Sequence, residues 1–85
     1  LGTYGVLDCG AFVTGFMTAA QAAGIGTIAQ AALATQAPFL RDWFAIPEDR
    51  LVVCGIAFGH ADPDHPANSY RTERAAPEAV LDWRG

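Results

Sequence analysis

The sequence predicts an α+β fold, in which a buried central helix packs against a buried sheet strand and an extended tail reaches beyond them. No charged side chain occurs from residue 9 to residue 40, so this stretch of small and apolar residues suits a helix inside a protein. Residues 51–58 form a continuous apolar run rich in β-branched side chains, which is typical of a strand covered on both faces. From His60 onward the chain is rich in Asp, Pro and His, as in a long surface loop.

The composition is too apolar for a small independent domain. Of the 85 residues, 52% are hydrophobic and only 16% are charged. A small domain has proportionally more exterior, so it is expected to be more polar than average. We therefore expect much of the apolar surface to be covered by a missing N-terminal half, by a second subunit, or by both. The start at Leu1 instead of Met also suggests a fragment or a processed product.

The charge and the cysteine content exclude several classes of protein. A net charge of −4, with no lysine and no basic run, argues against non-specific binding to nucleic acid. Cys9 and Cys54 are too few for a disulfide framework and form no CxxC pattern, so we expect free, reduced thiols in a cytoplasmic protein. The uncharged stretch is long enough to span a bilayer, but its alanines, glutamines and glycines favour a buried helix of a soluble protein.

The first predicted helix covers residues 11–23, with Asp8 as its N-cap and Gly24 as the residue that ends it. Small side chains recur every four residues along it and form a smooth ridge, where another backbone can approach closely. The spacing fits equally a helix at a fold centre or dimer interface and an ordinary core helix. The ridge consists of Ala11, Gly15, Ala19 and Ala23. Residues 25–27 are expected to form a turn.

A second, shorter helix is predicted from Thr35 to Phe44, with Pro38 in its first turn, where the missing N–H is not needed. A turn at residues 46–49 separates it from the strand at residues 51–58. Gly55 within that strand predicts a close approach by a neighbouring group. After the polar loop, residues 77–83 are predicted to form a short edge strand that pairs with a sheet elsewhere.

Few residues suggest chemistry of their own. Arg71 and Arg74 are the clustered cations of an acidic chain, and their planar guanidinium groups suit a phosphate. From spacing alone, surface pairing with Glu73 and other acids is the favoured alternative. The loop from His60 to His65 fits neither zinc nor calcium spacing, and no nucleophile has an evident activating base. Any reactive group is therefore expected to be a cofactor.

Four segments, in order, resemble the C-terminal half of an FMN-dependent nitroreductase. Residues 17–27 are similar to the family's central helix and the turn that ends it, and residues 28–32 to the loop beside the flavin ring. Residues 46–59 resemble the turn and strand that follow, and residues 68–77 resemble the closing motif. The resemblance implies that residues 1–85 are the C-terminal segment of a single nitroreductase-like domain whose N-terminal half is absent.

The resemblance also implies where FMN is bound. It assigns Arg74 to the FMN phosphate and leaves the role of Arg71 open. Ala29, Gln30 and Ala31 would pass along the isoalloxazine ring, where backbone N–H groups would hydrogen-bond its N5 and O4 edge. No residue of this segment is implied to be a general acid or base, and no metal is implied.

The family is homodimeric, with FMN at the subunit interface and C-terminal segments that wrap onto the partner subunit. The implied reaction is ping-pong: NAD(P)H gives hydride to FMN, and the reduced flavin then reduces a nitroaromatic, a quinone or a similar acceptor. Two alternatives stay open. One is a non-catalytic fragment for dimerisation or assembly, and the other is a flavin-fold relative with a different reaction, such as reductive dehalogenation. The sequence separates neither NADH from NADPH nor one acceptor from another.

Overall fold

The first helix is longer than predicted. A computed structural model describes residues 2–85, and in it helix α1 spans Gly2–Ala22. Asp8 therefore lies inside the helix, and its prediction as the N-cap was wrong. The reason is that residues 3–9 contain no proline and no strong helix breaker other than Gly5, so nothing ends the helix before Asp8.

Gly24 terminates helix α1, as predicted. Gly24 has a φ of +76°, a left-handed conformation that glycine adopts without steric cost. The Gly24 N–H donates to the carbonyl of Gln21 at 3.0 Å, and the Ile25 N–H donates to that of Ala20 at 2.9 Å. These two bonds satisfy carbonyls of the last helical turn in the pattern of a Schellman motif.

Two short strands form an antiparallel sheet. Strand β1 spans Gly26–Gln30 and strand β2 spans Gly55–Gly59, with Gly26 opposite Gly59 and Gln30 opposite Gly55. The turn predicted at residues 25–27 was wrong, because Thr27 and its neighbours extend to pair with β2. The strand predicted at residues 51–58 is confirmed only for its second part, since β1 offers partners to five residues.

A 3₁₀ helix and helix α2 connect the two strands. The 3₁₀ helix spans Ala31–Gln36 and leads directly into α2, Ala37–Phe44, with Pro38 in its first turn as predicted. Ala45 caps the C-terminus of helix α2, with a φ of +52° and its N–H donating to the carbonyls of Arg41 and Asp42. The rings of Phe39 and Trp43 stack on the surface of α2, 6.1 Å apart with an interplanar angle of 17°.

The segment after β2 is exposed throughout, as the predicted surface loop requires. It contains a 3₁₀ turn at Pro66–Asn68 and a short helix α3 at Pro77–Val80. The edge strand predicted for residues 77–83 was therefore wrong. Pro77 pre-sets a helical φ in the first turn, and within residues 2–85 no strand pairs with this tail.

Helix α1 lies against the sheet without being buried by it. Phe16 of α1 contacts Phe58 of β2 edge to face, with ring centroids 6.3 Å apart. One stripe of the helix is half-buried, and it consists of Gly5, Cys9, Val13, Met17 and Ala20. The predicted ridge of small residues, from Ala11 to Ala23, is exposed. The prediction of a helix is thus confirmed, but residues 2–85 do not bury it, because they supply no second layer over the ridge.

The described chain is open and has no buried core. None of residues 2–85 is buried, and the radius of gyration is 16.5 Å, against about 12 Å for a compact chain of this length. Its accessible surface of 7655 Å² exceeds by about 2,800 Å² that of a compact folded protein of 8.9 kDa. The exposed apolar surface expected from the composition is therefore present in the structure. Within residues 2–85, no helix combines the length and apolar character needed to cross a membrane.

Candidate functional site

The segment predicted to pass along a flavin ring lies at the end of β1. Ala29 is opposite Ile56, Gln30 is opposite Gly55, and Ala31 is the first residue of the 3₁₀ helix. All three residues are exposed. The chain thus changes from extended to helical inside this segment, at Gln30, whose φ and ψ are −125° and 100°.

The outer edge of β1 leaves backbone groups available. The sheet has two strands, so within residues 2–85 no strand pairs with the edge of β1 that faces away from β2. In an antiparallel pair, alternate residues direct their N–H and C=O groups away from the partner strand. Of the adjacent residues Ala29 and Gln30, one therefore directs its backbone N–H away from β2, where it is open to a ligand.

The two predicted phosphate ligands, Arg71 and Arg74, lie in an exposed segment without regular structure. Arg74 Nη1 donates to the hydroxyl of Thr72 at 2.5 Å and to the carbonyl of Glu73 at 3.2 Å. Arg71 Nη1 donates to the carbonyl of Tyr70 at 3.3 Å. All of these acceptors are neutral, so the hydrogen bonds offset the positive charge of neither guanidinium group.

The surface pairing favoured from spacing alone does not occur. In the described part of the chain, ion pairs join Arg84 to Asp82 at 2.6 Å and Arg50 to Asp49 at 4.0 Å, and neither includes Arg71 or Arg74. Glu73 contributes only its backbone carbonyl to Arg74. The alternative in which nearby acids neutralise the two arginines was therefore wrong.

The structure does not join the two parts of the predicted site. Every hydrogen bond from the side chains of Arg71 and Arg74 within residues 2–85 ends at an acceptor no more than two residues away in sequence. Hence none of these bonds links an arginine to Ala29, Gln30 or Ala31. Each part of the predicted site has suitable donors, and a ligand would have to bridge them.

A cleft that the sequence did not predict lies at the end of the sheet. It has a volume of about 260 Å³ and is open to solvent. Its lining comes from both strands and from the loop after β2, and includes Thr27, Ile28, Phe58, His60 and Asn68. Asn68 is held in place because its side-chain amide donates to the Asp62 carbonyl at 2.6 Å. Pairing between β1 and β2 creates the cleft, and no local sequence signal indicated that pairing.

Polar side chains in the loop after β2 form hydrogen bonds within that loop. His65 Nδ1 accepts from the Ala67 N–H at 3.1 Å, and Asp62 Oδ1 accepts from the Asp64 N–H at 3.0 Å. Over residues 2–85, no group of three His, Cys, Asp or Glu side chains is placed to hold a metal ion. The polar side chains of this loop therefore stabilise the loop's own turns.

Cys9 and Cys54 are free thiols and are half-buried.

The available donors match the chemistry of FMN. Its phosphate needs cations that no carboxylate has neutralised, and Arg71 and Arg74 meet that requirement. Its ring edge needs backbone N–H groups at an open strand edge, and β1 has such an edge. The residues present therefore fit the cofactor that the sequence resemblance implies.

Comparison with known proteins gives a family match and several named relatives. Residues 2–60 match the model of the nitroreductase family. A 4-nitrobenzoate reductase from Nocardioides sp. (strain LMS-CY) is 38% identical over 69 residues, which cover 81% of this chain and 28% of the relative. A 4-nitrobenzoate reductase from Pseudomonas putida is 28% identical over 82 residues, or 96% of this chain and 36% of the relative.

A nitrobenzene nitroreductase from Ectopseudomonas oleovorans is 37% identical over 59 residues, covering 69% of this chain and 26% of the relative. The chain thus spans about a quarter to a third of the length of these curated relatives. The family match nevertheless extends over most of the chain, from α1 to the end of β2. The chain belongs to the nitroreductase family.

Proposed function

We propose that this chain forms part of an FMN-dependent oxidoreductase that uses NAD(P)H to reduce nitroaromatics, quinones or similar acceptors. The observation that supports this most directly is the similarity to relatives named for the reduction of 4-nitrobenzoate and nitrobenzene. When bound, FMN supplies the hydride-transfer chemistry between the nicotinamide and the acceptor. The role of this chain is to hold and orient that cofactor.

Arg74 is proposed to bind the FMN phosphate, with Arg71 as a second cation nearby. Both guanidinium groups donate to neutral acceptors, which are weaker partners than a phosphate oxygen. Exchanging these neutral bonds for charge-assisted bonds favours binding of an anion. Because arginine's fork places two donors side by side, Arg74 also fixes the orientation of the phosphate.

Ala29, Gln30 and Ala31 are proposed to pass along the flavin ring. Their small or flexible side chains leave the backbone open, and the outer edge of β1 has unpaired N–H groups within residues 2–85. N–H groups at the ring edge favour the negative charge that reduction brings, and thereby raise the reduction potential. We assign no proton transfer to any side chain of this chain.

The exposed apolar surface supports a proposal about assembly. The accessible surface in excess of that of a compact protein, about 2,800 Å², is of the size that obligate interfaces bury. We propose that the rest of a nitroreductase domain, of which residues 1–85 are the C-terminal segment, and a second subunit cover it. The tail after Arg74, exposed along its whole length, is proposed to wrap onto the partner subunit of a cytoplasmic homodimer.

The test is to prepare the chain alone and as a completed protein. In the completed protein, this chain replaces the matching segment of the Nocardioides 4-nitrobenzoate reductase. We expect the completed protein to bind FMN and to oxidise NADH or NADPH when 4-nitrobenzoate is present. The chain alone is expected to bind FMN weakly. If the completed protein binds no FMN while remaining soluble and folded, the proposal is wrong.

A second candidate function is non-catalytic assembly, and the exposed ridge of α1 favours it. Ala11, Gly15, Ala19 and Ala23 present a smooth surface to solvent, which suits close packing of another helix. This candidate predicts that association survives the loss of both Arg71 and Arg74 and that no chromophore is bound. Sedimentation and absorption of the Arg71→Ala, Arg74→Ala double variant of the completed protein, compared with those of the unsubstituted protein, distinguish the two candidates.

A further inference from the structure

From Gly10 onward, the closest packing around a glycine occurs between Leu33 and Gly55. A Cβ atom added to Gly55 would overlap Leu33 Cδ1, and it would lie 3.3 Å from Leu33 Cγ and 3.5 Å from Leu33 Cβ. The overlap with Cδ1 is shorter than any contact that real Cβ atoms make, so the leucine would have to move. Leu33 therefore occupies the space that a side chain at residue 55 would need.

This packing is specific to one place in an open structure. Added Cβ atoms at Gly10, Gly15 and Gly59 would meet nothing within 4 Å. At Gly26 the nearest atom would be the Gly59 carbonyl oxygen, at an ordinary 3.4 Å. From Gly10 onward, Gly55 is thus the glycine at which a side chain would require a neighbour to move, and the part that must move is the end of the Leu33 side chain.

The contact spans the point where the chain bends. Gly55 is opposite Gln30, the last residue of β1, and Leu33 is the third residue of the 3₁₀ helix that starts at Ala31. No side chain caps the N-terminus of this helix. Leu33 seated on Gly55 therefore ties the first turn of the 3₁₀ helix to the sheet and restrains the path of the backbone through Gln30 and Ala31.

We propose that Leu33 and Gly55 are positioning residues for the flavin ring. Resting on the proposed function, this inference holds that their contact sets the direction in which the backbone N–H groups of Ala29, Gln30 and Ala31 point. Neither residue needs to touch the cofactor. A change in the contact then alters the hydrogen bonds at the ring edge, and hence the absorption spectrum, the reduction potential and the affinity of the bound flavin.

The first variant to measure is Gly55→Ala in the completed protein loaded with FMN. Displacing the end of the Leu33 side chain, which is 37% exposed, should cost less than overpacking a buried core, so we expect at most about a 5-fold rise in the FMN dissociation constant. We also expect the reduction potential of the flavin to fall, because donors that favour the reduced ring are misdirected. Gly59→Ala in the same sheet is the matched control, and we expect it to leave the spectrum and the potential unchanged.

Leu33→Ala provides a second route that introduces no overlap. Alone, it removes the contact and is expected to shift the spectrum and the potential in the same direction as Gly55→Ala. In the double variant, the shorter side chain at residue 33 makes room for the methyl group at residue 55. We therefore expect the double variant to bind FMN more tightly than Gly55→Ala alone and to recover part of the potential.

The outcomes separate this inference from the proposed function. An unsubstituted completed protein that binds no FMN overturns the proposed function, and this inference falls with it. A protein that binds FMN, but whose spectrum and potential are the same with and without Leu33→Ala, overturns the inference alone. If Gly55→Ala does not fold, the spectrum and the reduction potential of the Leu33→Ala variant still test the inference. A double variant that binds FMN no more tightly than Gly55→Ala also counts against a positioning role of the contact.

Discussion

Replacing Arg74 by alanine is predicted to weaken FMN binding by an amount that follows from its present hydrogen bonds. In the structure, Arg74 donates to a hydroxyl at 2.5 Å and to a carbonyl at 3.2 Å, both neutral acceptors. Neutral bonds contribute about 0.5–1.5 kcal/mol each, and bonds to charged groups about 1.5–3 kcal/mol. Replacing a neutral acceptor of Arg74 by a phosphate oxygen therefore makes FMN binding more favourable by about 1–2 kcal/mol. This corresponds to roughly a 5- to 30-fold change in the FMN dissociation constant.

The assay is titration of the completed apoprotein with FMN, followed by quenching of flavin fluorescence. Arg74→Lys keeps the charge but loses the paired donors, so its affinity is expected to be intermediate. Arg84→Ala is the matched control, because Arg84 is also exposed but is already paired with Asp82 at 2.6 Å. We expect its FMN affinity to equal that of the unsubstituted protein.

Riboflavin, which lacks the phosphate, tests whether Arg74 acts where we propose. The affinity for riboflavin should be the same with arginine or alanine at residue 74. An equal loss of affinity for FMN and for riboflavin would show that Arg74 acts on folding or on the ring, and it would refute the assignment to the phosphate.

Three further predictions concern salt, α1 and association of subunits. Rising NaCl should weaken binding of FMN but not of riboflavin in the same fluorescence titration, since exposed arginines are screened; equal effects on both ligands would contradict a phosphate contact. Gly24→Ala should lower the free energy of unfolding in urea by roughly 1–2 kcal/mol, because residue 24 has a φ of +76°, whereas Gly10→Ala inside α1 should raise it by up to about 1 kcal/mol. The opposite order would contradict the helix end described here. Ala19→Arg on the exposed ridge should lower the mass of the completed protein in sedimentation, whereas Gln21→Arg, also exposed but off the ridge, should not; unchanged mass for both would exclude the ridge from the subunit interface.

Local signals in the sequence predicted those features that depend on one or two residues. Gly24 ends α1 because a left-handed residue is needed there, and Pro38 lies in the first turn of α2 because its missing N–H has no helical partner. Gly55 predicted a close neighbour, and Leu33 is that neighbour. In each case the residue type itself carries the physical requirement.

Features that depend on distant parts of the chain were not predicted. Strand β1 ends in Ala29 and Gln30, which have no strong preference for strands, and it forms because β2 pairs with it from about thirty residues away. The tail was wrongly predicted as a strand at residues 77–83, since an edge strand needs a partner that residues 2–85 do not provide. For the same reason, the predicted burial of α1 is not found in the described chain.

The candidate site was predictable in its parts but not in its assembly. The clustering of Arg71 and Arg74 is visible in the sequence, yet only the structure shows that Glu73 leaves both unpaired within residues 2–85. The open edge of β1 could not be predicted, because β1 itself was not. The proposed meeting of Arg74 and Ala29–Gln30–Ala31 at one ligand is not seen within residues 2–85, where no hydrogen bond links them.

This chain is proposed to build part of an FMN site. The visible absorption spectrum of the purified completed protein tests it most directly, together with the mass of any chromophore released on denaturation. We expect flavin bands and release of FMN, with a colourless or weakly coloured chain when residues 1–85 are prepared alone. A completed protein that folds but stays colourless after addition of FMN would show that this chain builds no FMN site.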